Sequence, residues 1–150
     1  MSRKHPNQEP PKVKTNLEKL KETVEEIRVR EDLIELSLHA KGVQTFMSVE
    51  LMGLPKGGGR KPIRVASELK ELTKIVRLET ADHIGRPWYS MTITSGHGHY
   101  YKFQQTNVLM DRVCEPRPHG AMIPPEDLFL DYVEFPRFAA EMPPWVVARL

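Results

Sequence analysis

The first clear pattern along the chain is helical. Leu17, Leu20, Val24 and Ile27 recur at intervals of three, four and three, which places them along one face of a helix. Thr15 and Glu18 have the spacing of a capping box, in which hydroxyl and carboxylate each satisfy an orphan backbone N–H. A first helix is predicted over about 16–30. Alternation then replaces the helical period. Ile34, Leu36 and Leu38 point one way and Glu35, Ser37 and His39 the other. After a turn at Lys41-Gly42, Val43, Thr45, Met47, Val49 and Leu51 alternate with Gln44, Phe46, Ser48 and Glu50. That is a β-hairpin with one dry face.

The stretch 53–62, GLPKGGGRKP, is predicted to be irregular. Successive glycine amides beside cations can cradle an anion. The P-loop spacing is nevertheless missing, and no strand-loop-helix order with Ser or Thr follows. A flexible basic loop is the reading that fits. Ala66, Leu69, Leu72 and Val76 then mark a second helix, stopped by Gly85 and Pro87 after Asp82-His83-Ile84. WYSMTITS and HYYKFQQT, joined by Gly96-His97-Gly98, read as a second hairpin, with Tyr89, Met91, Ile93, Tyr101 and Phe103 facing inward. Val108, Leu109 and Met110 suggest a short strand, and 114–125 a proline-rich connection. Pro124-Pro125-Glu126-Asp127 opens a third helix, because proline suits a first turn and acids there favour the helix dipole. Leu128, Tyr132 and Phe135 share one face of it, and Pro136 ends it. Residues 144–150 suit one or two further helical turns carrying Trp145.

Together these elements predict a single α+β domain over 15–150, preceded by a disordered basic arm over 1–14. The order is helix, hairpin, helix, hairpin. It gives a mostly antiparallel four-stranded sheet with helices on one face and a C-terminal helix.

Composition narrows the function classes. At 150 residues the chain can bury a core without disulfide or metal staples. Its one cysteine, Cys114, cannot form an internal disulfide, so a reducing cytoplasm suits it, and no run has the length of a membrane helix. The net charge of +2 is unevenly spread: 1–14 carries +3 and 53–64 carries +4, which leaves −5 for the rest. Glu126, Asp127, Asp131 and Glu134 gather near the C-terminus. Such polarity suits a protein partner at least as well as a phosphate backbone.

Candidate chemistry is sparse. His97 and His99 flank Gly98 and share one side if extended, but zinc needs further ligands, and no recognised spacing joins them to His83, His119 or Cys114. Arg112, Arg117 and His119 surround Cys114 and would lower its thiol pKa, though neither a helix start nor a family signature supports a nucleophile there. Trp88-Tyr89 and Tyr100-Tyr101 raise nucleic-acid binding, since aromatics on a sheet stack bases. The cations lie in loops and arm, however, and the ribonucleoprotein motif is absent. A small nucleic-acid-binding module therefore stands as the alternative reading.

The leading reading comes from the later part of the chain. LKELTKIVRLETAD, GRPWYSMTIT, a glycine turn and DYVEFPRFAAEMPPWV follow one another. This series resembles immunity proteins of bacterial polymorphic toxin systems, of an actinobacterial type, over about the last ninety residues. Gly85, Arg86, Pro87, Trp88 and Tyr89 carry the resemblance, with Asp131, Phe135, Pro136, Arg137, Pro143 and Trp145. One departure stands out: Phe103-Gln104-Gln105-Thr106 replaces an acidic aromatic run common in similar proteins.

The resemblance implies a cytoplasmic protein that binds and blocks a cognate toxin, a nuclease or other nucleic-acid-acting one, without catalysis, cofactor or metal. Alternation assigns the outward, partner-facing residues as Glu35, His39, Phe46, Glu50, Trp88, Tyr100, Lys102 and Gln104. Phe46, Trp88 and Tyr100 would anchor the interface, as aromatic hot spots do. Pro136 is expected to turn the chain, Arg137 to reach the carboxylates or terminal carbonyls of the preceding helix, and Trp145 to cover one edge of the core.

Overall fold

A computed structural model describes residues 13–96 and 105–150. Helix α1 (Asn16–Arg30) opens with the expected capping box: Thr15 Oγ1 accepts from the Glu18 N–H at 3.1 Å, and the Glu18 carboxylate accepts from the Thr15 N–H at 3.3 Å. Strands β1 (Leu33–Val43), β2 (Phe46–Pro55) and β3 (Lys61–Ile63) follow, then α2 (Ser67–Glu79), β4 (Ser90–Gly96) and β5 (Gln105–Asp111). Two short helices end the chain, α3 (Pro125–Glu134) and α4 (Pro144–Arg149).

The fold is α+β, with an antiparallel sheet of five strands ordered β3-β2-β1-β4-β5. The extra strand is β3, formed within the stretch read as irregular. Gly53 to Pro55 belong to β2, and Lys61 and Pro62 pair with Gly53 and Met52. Pro62 is tolerated because β3 is an edge strand. The basic loop thus shrinks to residues 56–60, where Gly58 and Gly59 take φ of 82° and 79°.

The first hairpin turns at Gln44-Thr45, not at Lys41-Gly42. Gly42 stays within β1, and its N–H donates to the Tyr89 carbonyl at 2.9 Å. At φ +133°, a Cβ there would stand 2.1 Å from the Phe46 carbonyl oxygen. This glycine serves close backbone approach, a role easily mistaken for a turn. In the second hairpin, Val108, Leu109 and Met110 lie inside β5, opposite Ile93, Thr92 and Met91. Tyr101 and Phe103, placed on that arm by alternation, lie outside the described residues.

Two cores result. Leu36, Leu38, Ala40 and Leu51 from the first hairpin, with Met91 and Ile93, meet Leu20, Val24 and Ile27 of α1 and Leu69 and Val76 of α2. The opposite sheet face carries Ser37, His39, Glu50, Thr92 and Thr94, as cross-strand pairing of alternate residues requires. The second core gathers Val43, Tyr89, Ile123, Leu128 and Val146, with Phe46, Met142 and Trp145 against it. It closes the sheet end where β1 turns into β2.

Trp88 overturns an expectation. It is not on the open face but fully buried in the first core. Because β4 begins only at Ser90, strand alternation does not set its direction. Its indole N–H donates to Thr80 Oγ1 at 2.9 Å, so the ring buries without an unsatisfied polar atom. Among the described residues, no helix is long and apolar enough to cross a membrane.

Candidate protein-binding surface

The C-terminal segment is locked to the domain by buried charge. Arg77, on the inner face of α2, is 0% exposed. Its Nε–H donates to the Trp88 carbonyl at 2.7 Å, and its two terminal nitrogens donate to both oxygens of Asp131 on α3. The Trp88, Tyr89 and Phe135 rings surround the guanidinium at 5.8, 5.7 and 5.1 Å. Asp131 also accepts the Gln44 backbone N–H at 3.1 Å, and the Gln44 side chain donates to the Lys74 carbonyl at 2.8 Å. One carboxylate therefore ties α2, α3 and the first hairpin turn together.

Arg137 and Trp145 complete the clasp. Arg137, 8% exposed, donates to the Phe135 carbonyl at the end of α3 at 2.6 Å and to the Tyr89 hydroxyl. It thus reaches the helix carbonyls, while the buried helix carboxylate is taken by Arg77. Burial pushes the Tyr89 phenol up, against the opposing pull of Arg137, so it stays neutral. Trp145 packs edge-on against Tyr89 at 4.9 Å, and its indole N–H donates to the Val113 carbonyl at 2.7 Å.

The spacing of Arg77 carried a signal that hydrophobic pattern alone passes over. It stands four residues after Thr73 and eight after Leu69, both buried, so a cation occupies a core-facing position. Asp131, one of the acids gathered near the C-terminus, is its partner.

The predicted partner-facing residues separate into groups. His39 and Glu50 are exposed and directly opposite one another across β1 and β2, and His39 Nδ1 lies 3.3 Å from Thr92 Oγ1. Glu35 is partly buried and accepts from Arg60 of the basic loop at 3.1 Å. Phe46 is half-buried against the second core, edge-on to His119 at 5.7 Å. Trp88, buried as described, offers no surface for a partner or a base. Tyr100, Lys102 and Gln104, together with His97 and His99, lie outside the described residues.

The exposed apolar surface is elsewhere. Phe129, Leu130 and Val133 project from α3, and Phe138 beyond it is 79% exposed. Between α3 and α4 runs a groove of about 610 Å³ walled by Phe129, Tyr132, Phe138, Met142, Val147 and Leu150. Arg137 and Arg149 also line it. Arg149 is paired with Glu115.

Reactive chemistry finds little support. Cys114 is exposed, and hydrogen bonding to Asp111 and its charge push the thiol up, opposite to the expected lowering. The nearby cation Arg112 instead donates to the carbonyls of Thr80 and Arg86. Among the described residues, no three His, Cys, Asp or Glu side chains are grouped to hold a metal ion. No family model matches the chain, and no curated protein matches it.

Proposed function

We propose that this chain is a cytoplasmic immunity protein that binds a cognate bacterial toxin, one acting on nucleic acid, and blocks it by occlusion. The observation that carries the reading is the pairing of a rigidly clamped C-terminal segment with an outward apolar surface. The inner side of α3 is fixed through Asp131, and its outer side presents Phe129, Leu130 and Val133 to solvent. Exposed apolar side chains grouped this way mark a protein-binding surface. The resemblance to immunity proteins rests on Gly85, Arg86, Pro87, Trp88 and Tyr89 with Asp131, Phe135, Pro136, Arg137, Pro143 and Trp145, and six of these, Trp88, Tyr89, Asp131, Phe135, Arg137 and Trp145, join Arg77 in the clasp. The polar sheet face with His39 and Glu50 supplies a second, charged surface.

The test is co-expression with the product of the gene immediately upstream, scoring host survival and recovery of a complex. Rescue with a one-to-one complex is the expected result. An upstream product that is harmless and unbound would overturn the proposal, and salt-dependent binding to DNA or RNA would then favour the nucleic-acid module.

A further inference from the structure

The clasp holds an unbalanced charge. Arg77, Asp131 and Arg137 are all at most 8% exposed, and only one of the three is an anion. Asp131 is committed to Arg77 by two hydrogen bonds. Arg137 has only neutral partners, the Phe135 carbonyl and the Tyr89 hydroxyl, and its Nε is buried without a partner. Among the described residues it forms no ion pair. A buried cation without a counter-ion is costly, because desolvation is not offset by attraction. Tyr89 provides no anion, since burial raises its phenol pKa.

That excess positive charge lines the apolar groove between α3 and α4. The groove therefore asks for two properties in one occupant: an apolar body for Phe129, Phe138, Met142 and Val147, and a carboxylate for Arg137. We infer that the groove is the docking site for an apolar segment of the partner protein that carries an Asp or Glu side chain. A protein segment fits better than a small amphiphile because exposed apolar surface continues past the groove onto Leu130 and Val133 of α3. This inference rests on the immunity reading and specifies where and how the toxin is held.

The test places opposite charges on side chains of similar length at one groove wall. Val147 lines the groove and is 46% exposed, so both Val147→Glu and Val147→Lys should fold, which a melting curve verifies. With the upstream gene product as the binding partner, both variants lose the apolar wall contact of Val147, and Val147→Glu should raise Kd about tenfold or more above that of Val147→Lys, because only the Glu repels the segment's carboxylate. Equal weakening by both would mean that bulk alone matters, and no change in either would place the interface elsewhere. Both results overturn the inference while leaving the immunity reading intact. A wild-type chain that forms no complex overturns that reading and the inference with it. Dodecanoate is the small-molecule probe: should it bind the groove while the protein complex ignores both variants, the occupant is a carboxylate amphiphile and the partner-segment assignment fails.

Discussion

Replacing Asp131 should damage this protein more than any surface acid would. The carboxylate is buried and receives both terminal nitrogens of Arg77 and the Gln44 N–H. Asp131→Ala leaves Arg77 charged, buried and unpaired, beside Arg137, which has no ion-pair partner of its own among the described residues. Removing one partner of a buried pair costs about 3–5 kcal/mol. For a protein whose whole stability is of the order of 5–15 kcal/mol, that is a large fraction. The melting temperature should fall by roughly 6–20 °C, at about 2–4 °C per kcal/mol for a chain of this size.

Urea unfolding followed by tryptophan fluorescence measures the effect well, because Trp88 and Trp145 both flank the clasp. Asp131→Asn is the informative companion: it keeps an acceptor for Gln44 but removes the charge, so most of the loss should remain. Combining Arg77→Met with Asp131→Leu should recover at least about 2 kcal/mol of the single-variant loss, since no charge is then left uncompensated. A loss below about 1 kcal/mol for Asp131→Ala, the range of an exposed pair, would refute the reasoning.

Other perturbations test the neighbouring contacts. Trp145→Ala removes the edge contact to Tyr89 and the bond to Val113, and because the indole is only partly covered the expected loss is about 2–3 kcal/mol; an unchanged urea midpoint would reject the role of Trp145 as a cover. At Asp82, burial pushes the carboxyl up, but the N–H groups of Arg86 and Ile84 and the Arg86 guanidinium outweigh it and bring the pKa from 3.8 to about 2. A depressed folded-state pKa adds stability above the unfolded value that is lost on acidification. The stability gap between wild type and Asp82→Asn should therefore be full above about pH 4 and close towards pH 2; a gap independent of pH would contradict this. Asp111→Asn should lower the Cys114 thiol pKa, since Asp111 raises it, and so speed reaction with a disulfide reagent near pH 8; a slower reaction would count against the assignment.

Where one periodicity held over a full element, the sequence was legible. The α1 stripe and capping box are local, the α3 start is set by proline and acids within one turn, and the α4 start by proline alone. Alternation along 36–40 and 47–51 placed the inward residues correctly because one face of β1 and β2 is dry throughout. Failures arose where a residue answers to distant backbone. Gly42 resembled a turn glycine, yet it stays within β1, where its N–H is bonded to the distant Tyr89 carbonyl and a Cβ would meet the Phe46 carbonyl across the hairpin. β3 was invisible because three residues at an edge have no period, and Pro62 normally argues against a strand.

The clasp shows why a motif can be read before its physics. Phe135, Pro136, Arg137 and Trp145 stood out as a series, but Arg77, Tyr89 and Val113, the partners of Phe135, Arg137 and Trp145, lie 32 to 58 residues earlier in the chain. Pairing between such positions is a property of the closed fold. Charge was the usable hint: a cation at a core-facing position of α2 requires a buried anion, and Asp131 is the acid on the inner side of α3. The same reasoning reaches the groove. Once Arg77 has taken Asp131, Arg137 is left without a carboxylate partner among the described residues, and the apolar walls beside it set the chemistry of what can satisfy it.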